Sequence, residues 1–230
     1  MSALLEKIRD KSARIGVVGV GYVGLPNVVL FAQKGFSVIA ADTNPRVVEF
    51  LHQGKSHIKD PELEQSVPNA FKTGRISATT DVTSAANQCD VLIISVPTPA
   101  EKKEPDLRFV EQSAASIGVG LKKNALVVLE STVYPGACKE VLCPILEEKS
   151  GLKAGTDFYI AHCPERMNPG DPNHTIFNTP RIVGGIDDAS MRAAEALYCS
   201  VGLTVKTVAN LQTAELVKLV ENTQRDVNIA

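Results

Sequence analysis

The stretch Arg14-Ile15-Gly16-Val17-Val18-Gly19-Val20-Gly21-Tyr22-Val23-Gly24-Leu25-Pro26 decides the fold. An apolar run rich in β-branched residues leads directly into Gly19-x-Gly21-x-x-Gly24, and helix-compatible residues follow over 27–33, so the order is strand, tight turn, helix start. Each glycine meets a separate demand: Gly19 lets the chain turn sharply, Gly21 leaves the backbone open to a pyrophosphate, and Gly24 lets the helix pack closely on the strand. Phosphates placed there meet free N–H groups and the positive end of the helix dipole. Three glycines at this spacing also occur in ordinary turns; the flanking strand and helix give them their meaning.

Working outward, a second apolar run over 37–41 ends in Asp42, about 20 residues beyond the glycines, where an acidic side chain accepts both hydroxyls of a ribose. Its charge would repel a 2′-phosphate, which points to NAD rather than NADP. Asp42 also stands where it would cap a helix beginning near Asn44-Pro45, and spacing alone leaves both readings open.

Beyond it the pattern predicts a helix over 45–52, an irregular segment over 54–63 and a short polar strand over 75–81, with Asp81 placed to cap the next helix. The continuous apolar run over 90–96 reads as a central parallel strand buried on both faces. It stops at Pro97-Thr98-Pro99, which holds the chain extended beyond the strand's carboxyl end, where open α/β sheets bind ligands. Further strands are expected over 125–130, 158–162, 180–185 and 204–208, and helices over 107–119, 139–148 and 188–201. Hydroxyls and turns again follow the strand ends, in 131–136 and 163–170. The βαβα alternation predicts an α/β fold: a Rossmann-type, doubly wound, mostly parallel sheet of roughly eight strands, the last ones appended to a nucleotide-binding core. One boundary is expected, at Ala209-Asn210. It divides a Rossmann-like unit over 1–209 from a final helix over 210–230 that stops in mid-pattern, as the start of a longer central helix would.

The 230 residues carry a net charge of −2, which gives no electrostatic footprint for nucleic acid. No apolar run approaches the roughly 18 residues of a membrane span, and residues 1–11 lack a signal-peptide core, so a cytoplasmic protein is expected. The five cysteines are scattered without metal-ligand or disulfide spacing. Cys138 and Cys143 read as packing residues, and His52, His57, His162 and His174 as surface or core residues; no metal is expected.

With the glycine turn, Asp42, Ser95-Val96-Pro97-Thr98-Pro99, Ser131-Thr132-Val133-Tyr134-Pro135-Gly136, Pro164-Glu165-Arg166 and the stretch from Ala214 to Thr223, the chain resembles the UDP-glucose/GDP-mannose dehydrogenase family. The segment from Ala161 to Gly170 is similar to the branch acting on UDP-N-acetylhexosamines, UDP-N-acetyl-D-mannosamine above all. The resemblance implies a two-step oxidation of the sugar C6 alcohol to the uronate with two NAD, through a cysteine-bound thiohemiacetal and thioester, in surface polysaccharide biosynthesis. It implies cofactor contacts from Gly19, Gly21, Tyr22, Val23, Gly24, Asp42, Arg46, Pro97, Thr98 and Thr132. It also implies catalytic roles: Thr132 orders a water, Glu165 assists proton transfer, and Lys218, with Asn222 beside it on the helix, stabilises a developing oxyanion. Arg166 and Arg181 are candidates for a nucleotide-sugar phosphate. A UDP-sugar partner and a homodimer or higher oligomer through the central helix are implied as well.

Two departures stand out. The second carboxylate of the UDP-glucose branch is replaced by Pro169, and the family's Gly-Gly-x-Cys nucleophile motif is absent from these residues. The chain is therefore expected to be the amino-terminal, cofactor-binding part, inactive by itself. UDP-N-acetylglucosamine is the alternative substrate, and a non-catalytic NAD-sensing module the alternative class.

Overall fold

The computed structural model describes residues 2–101, 104–166, 176 and 178–229. Helix α1 (Ser2–Arg9) precedes β1 (Arg14–Val18), α2 (Gly24–Gln33), β2 (Ser37–Ala41), α3 (Pro45–His52), α4 (Pro61–Phe71), β3 (Ile76–Thr79), α5 (Val82–Gln88) and β4 (Val91–Ile94). A two-residue hairpin, β5 (Ala100–Glu101) and β6 (Glu104–Pro105), leads to α6 (Arg108–Gly120) and β7 (Leu126–Leu129). A π-helical turn, Cys138–Leu142, runs into α7 (Cys143–Ser150), followed by β8 (Tyr159–His162), β9 (Arg181–Gly185), α8 (Asp188–Ser200), β10 (Val205–Thr207) and α9 (Leu211–Ile229).

Eight strands form one sheet in the order β10-β9-β8-β7-β4-β1-β2-β3. Every pairing is parallel except β8 with β9, so the appended strands enter antiparallel and then continue parallel. The order reverses between β1 and β4, which pair with each other in register from Ile15 opposite Val91 to Val18 opposite Ile94. Two apolar layers, one on each face, bury the central strands β1, β4 and β7. Four-residue runs such as Val91–Ile94 and Leu126–Leu129 are buried throughout, as strands covered by helices on both sides must be.

The structure departs from the sequence reading in three places. Helix α4 occupies part of the segment expected to be irregular: Asp60 caps it by accepting from the N–H groups of Glu62 and Leu63, and Pro61 opens it. Pro68 inside it masks the periodicity, yet Leu63, Val67 and Ala70 form a buried stripe. The chain after Pro97 folds back as the β5–β6 hairpin instead of remaining a plain extended loop. The helix expected over 139–148 opens with a π-turn. The readings that fall on Met167–Gly170, including Pro169, and on His174 lie outside the described residues.

Candidate cofactor-binding and active site

The chain leaves β1 at Gly19, whose φ of +85° is a conformation that side-chain-bearing residues rarely adopt. A Cβ on Gly24 would lie 1.9 Å from the Gly19 carbonyl oxygen, so α2 approaches the strand as closely as a hydrogen-only side chain allows. A Cβ on Gly21 would meet nothing within 4 Å. That open space is where the backbone offers itself to a ligand. No side chain caps α2; its Leu25 N–H is taken by the Gly21 carbonyl at 2.9 Å and Pro26 has none, so an anion here would rest on the N–H groups of the glycine turn just ahead of them.

Asp42 closes the turn from the next strand. Its Oδ2 accepts the Val20 N–H at 2.8 Å and its Oδ1 accepts the Asn44 N–H at 2.9 Å. The helix cap is Asn44, whose side chain accepts from the Arg46 N–H at 3.0 Å; the alternative reading of Asp42 as the α3 cap is thereby replaced. Ser95 Oγ donates to the Gly19 carbonyl at 3.0 Å, tying the end of β4 to the same turn.

These elements wall an open cavity of about 650 Å³ at the point where the strand order reverses. Gly19, Gly21, Tyr22, Val23, Asp42 and Pro97 line it. Gly24 lies beneath the turn, Arg46 is exposed on α3, and Thr98 and Thr132 are half-buried beyond the lining. The opposite wall is one face of α6, Phe109, Gln112, Ser113 and Ser116, at spacings of three, four and seven that the sequence reading passed over. His57 also lines the cavity, with Nδ1 buried and without a hydrogen-bond partner among the described residues. Burial pushes its imidazole below the usual histidine range, while Asp42 and the Val20 carbonyl oppose that. The size, the open glycine and the paired ribose-side carboxylate fit a dinucleotide.

The second group of residues gathers at the carboxyl ends of β7 and β8. Glu165 is buried, accepts the Arg166 N–H at 2.7 Å and pairs with Arg181, which is only 1% exposed. Arg181 is therefore a buried counter-ion and does not reach out to a phosphate. Arg166 is committed likewise: its Nε donates to Glu221 of α9 at 2.8 Å and its Nη1 to the Pro180 carbonyl at 2.9 Å. Lys218 is half-buried one turn earlier on α9. Burial lowers its ammonium below the usual lysine range, with Glu165 acting in the opposite direction. Asn222 is half-buried, four residues on.

Glu215, buried on the same helix, accepts from the Gly136 N–H at 2.6 Å and the Cys138 N–H at 2.8 Å, so a carboxylate of α9 caps the start of the π-turn. The four cysteines Cys89, Cys138, Cys143 and Cys163 are buried, and burial pushes every one of their thiols up, Cys89 and Cys143 to about 12. Cys199 is exposed and its thiol is raised as well, again chiefly by desolvation. Among the described residues no cluster of three or more His, Cys, Asp or Glu side chains is arranged to hold a metal, and no helix is long and apolar enough to cross a membrane.

The profile of the UDP-glucose/GDP-mannose dehydrogenase family, NAD-binding domain, matches residues 13–201. The chain belongs to this family. A UDP-N-acetyl-D-mannosamine dehydrogenase of Pyrococcus horikoshii is 38% identical over 94% of this chain and 51% of the relative. Its solved structure superposes with a TM-score of 0.88, at 37% identity over 94% of this chain and 51% of that one. A UDP-N-acetyl-D-glucosamine 6-dehydrogenase of Pseudomonas aeruginosa is also 38% identical, over 96% of this chain and 51% of its own length. The GDP-mannose dehydrogenase of Pseudomonas aeruginosa, solved as a ternary complex, superposes with a TM-score of 0.86 at 29% identity, over 94% of this chain and 50% of that one. The chain thus spans about half the length of the curated relatives it matches. Its cofactor is NAD, and the family's NAD-binding domain is the Rossmann-like sheet described here.

Proposed function

We propose that the chain is the cofactor-binding part of a UDP-N-acetylhexosamine 6-dehydrogenase acting on UDP-N-acetyl-D-mannosamine in surface polysaccharide biosynthesis. The observation that carries this reading is the ion pair between Arg166, next to Glu165 beyond the end of β8, and Glu221 of α9, which seats the helix that carries Lys218 and Asn222 against that strand end. NAD supplies the hydride acceptor when bound. Gly19, Gly21, Tyr22, Val23 and Asp42 hold it in the cavity, with Gly24 beneath the turn and Arg46, Pro97, Thr98 and Thr132 contributing at its edges. Thr132 orients a water near the reacting carbon, Glu165 assists proton transfer, and Lys218 with Asn222 stabilises negative charge developing on the sugar oxygen.

The four buried cysteines are unsuited to the covalent steps, because a thiol pushed up by burial is not a nucleophile near neutral pH, and exposed Cys199 lies on α8 outside the Gly-Gly-x-Cys pattern. The 230 residues are therefore expected to bind NAD and to show no turnover of a nucleotide sugar by themselves. We place residues 1–209 in the NAD-binding unit and 210–230 at the start of a central helical region through which a cytoplasmic homodimer or larger oligomer assembles. UDP-N-acetyl-D-glucosamine is the competing substrate, because a relative named for it is 38% identical to this chain, as is the Pyrococcus horikoshii relative named for the mannosamine sugar.

The test is NAD reduction by a protein joining this chain to its natural continuation, assayed with UDP-N-acetyl-D-mannosamine, UDP-N-acetyl-D-glucosamine and UDP-glucose. Preference for the first is expected, and Lys218→Ala should lower kcat about 100- to 1,000-fold, the scale of losing one oxyanion donor. NAD binding without turnover of any of the three would leave the sensing module as the correct reading.

A further inference from the structure

Outside the cofactor cavity, buried polar groups gather at one place between β7, β8, β9, α2 and α8. Glu130, at the end of β7 and 1% exposed, accepts from Asn27 Nδ2 of α2 at 2.5 Å and from Tyr198 Oη of α8 at 2.6 Å. Arg181 of β9 pairs with Glu165, and its guanidinium lies 5.5 Å from the centre of the Tyr198 ring. One buried carboxyl group, Glu165, is therefore paired with the buried cation, and a second, Glu130, is linked to it through Tyr198. Burial pushes Glu130 up, towards its neutral form, with Arg181 pulling against it. Burial also works against the charge on Arg181, but Glu165 and Glu130 more than offset it. The ion pair of this set is Arg181 with Glu165.

Such a pair is a poor device for stability. Replacing a buried ion pair by apolar side chains of similar volume is commonly neutral or stabilising, whereas removing one partner leaves an uncompensated charge. Its value here is direction. A guanidinium does not lose its proton, and here its Nη1 donates to one Glu165 oxygen, while Nε and Nη2 are buried without a hydrogen-bond partner among the described residues. One Glu165 oxygen is held by Arg181 from the buried side and the other by the Arg166 N–H.

We propose that Arg181 is a positioning residue for Glu165, fixing one of its oxygens while the Arg166 N–H fixes the other, and that Glu130, through Asn27 and through Tyr198, whose ring lies against Arg181, ties this arrangement to the cofactor helix α2. The proposal rests on the reading of Glu165 and Lys218 as site residues. Charged or titratable groups that act on Glu165 include Arg181 from β9, Arg166 beside it in the chain, Lys218 from α9, Cys163 from the end of β8 and Glu130 from β7.

The test is a side-chain carboxyl NMR titration of the 230-residue chain, with the Glu165 signal assigned by its loss in Glu165→Gln and NAD affinity followed as a control. Arg181→Gln is expected to move the Glu165 midpoint upward by about one pH unit or more, the usual effect of an adjacent arginine, and Arg181→Lys to restore part of it. An unmoved midpoint in a folded, NAD-binding variant would overturn the proposal. If Arg181→Gln does not fold, the wild-type chain still decides. The Arg181 Nε–H resonance, assigned by its loss in Arg181→Lys, should shift with the same midpoint as Glu165, and separate midpoints would also overturn it. In the longer protein, Arg181→Lys should lower kcat while leaving the KM for NAD unchanged; an unchanged kcat counts against a positioning role. The titrations need no turnover, so their failure is separable from failure of the longer protein to oxidise a UDP-sugar.

Discussion

At Gly21 and Gly24 the absence of a side chain serves two different ends. A methyl group on Gly24 would collide with the Gly19 carbonyl, whereas on Gly21 it would project into open space. Gly24→Ala should therefore destabilise the fold by about 3 kcal/mol or more, as severe overpacking does. Gly21→Ala should leave the thermal midpoint unchanged yet weaken NAD by about 1 to 3 kcal/mol, by obstructing charged hydrogen bonds to the diphosphate. Differential scanning fluorimetry and titration calorimetry on the two variants separate the effects; equal loss of stability would refute the distinction. His162 makes a different kind of claim. It is buried in β8, and desolvation holds its imidazole down to about 3. An unfolded histidine takes up a proton below about 6.5, so the unfolded state binds more protons between those values and stability falls as the pH falls. From pH 7 to pH 5 this residue should remove about 2 kcal/mol, measured by urea unfolding at each pH, and the dependence of stability on pH should flatten in His162→Gln. The glycines were legible in sequence because their spacing is local. His162 was readable only as a surface or core residue, because its burial depends on helices from elsewhere in the chain.

At the scale of the element, α9 is joined to the sheet by polar contacts as well as by apolar burial. Asn210 caps its first turn by accepting the Thr213 N–H at 2.9 Å, and Leu211, Ala214 and Glu215 are buried. Gly184 of β9 permits the approach, since a Cβ there would lie 2.3 Å from the Asn210 carbonyl oxygen. Glu215 then caps the π-turn, and Glu221 receives Arg166. Glu215, Lys218 and Asn222 follow the three- and four-residue spacing of one helix face, so the cap and the grip of Arg166 aim Lys218. Glu215→Ala leaves two backbone N–H groups without their acceptor and should cost about 2 to 3 kcal/mol. Protease cleavage within 211–229 should become faster than in wild type, and an unchanged digestion pattern would show that apolar contacts alone seat the helix. The amphipathic pattern of α9 was readable beforehand, but the Glu215 contact was not, because its acceptor and donors lie 77 to 79 residues apart.

Across the whole molecule the outer face of α9 remains apolar. Leu216 is 47% exposed, Val220 55%, Val227 71% and Ile229 77%. An exposed stripe of this kind favours association. The chain should therefore show a sedimentation coefficient that rises with concentration, and Leu216→Lys with Val220→Lys should abolish the rise without lowering NAD affinity. A single monomeric species for wild type at high concentration would contradict this. The cofactor cavity opens where β1 and β4 end, and Glu165 follows the end of β8, a strand parallel to both in the same sheet, so one sheet end presents both. Its eight-stranded, mostly parallel form follows from the alternation of apolar runs and helical periods.

The amino-acid sequence by itself determined the strand-turn-helix at Gly19 to Gly24, the placing of Asp42 after β2, the central strands and the final amphipathic helix. Each is written in residues close together, where spacing and side-chain type act directly on the backbone. Only the tertiary structure decided that Asp42 fixes the Val20 N–H while Asn44 caps α3, that one face of α6 walls the cavity, and that Arg181 is spent on Glu165. Those outcomes depend on which distant groups are desolvated together, and the free energy of a buried charge or hydrogen bond is set by that shared environment, which no local pattern encodes.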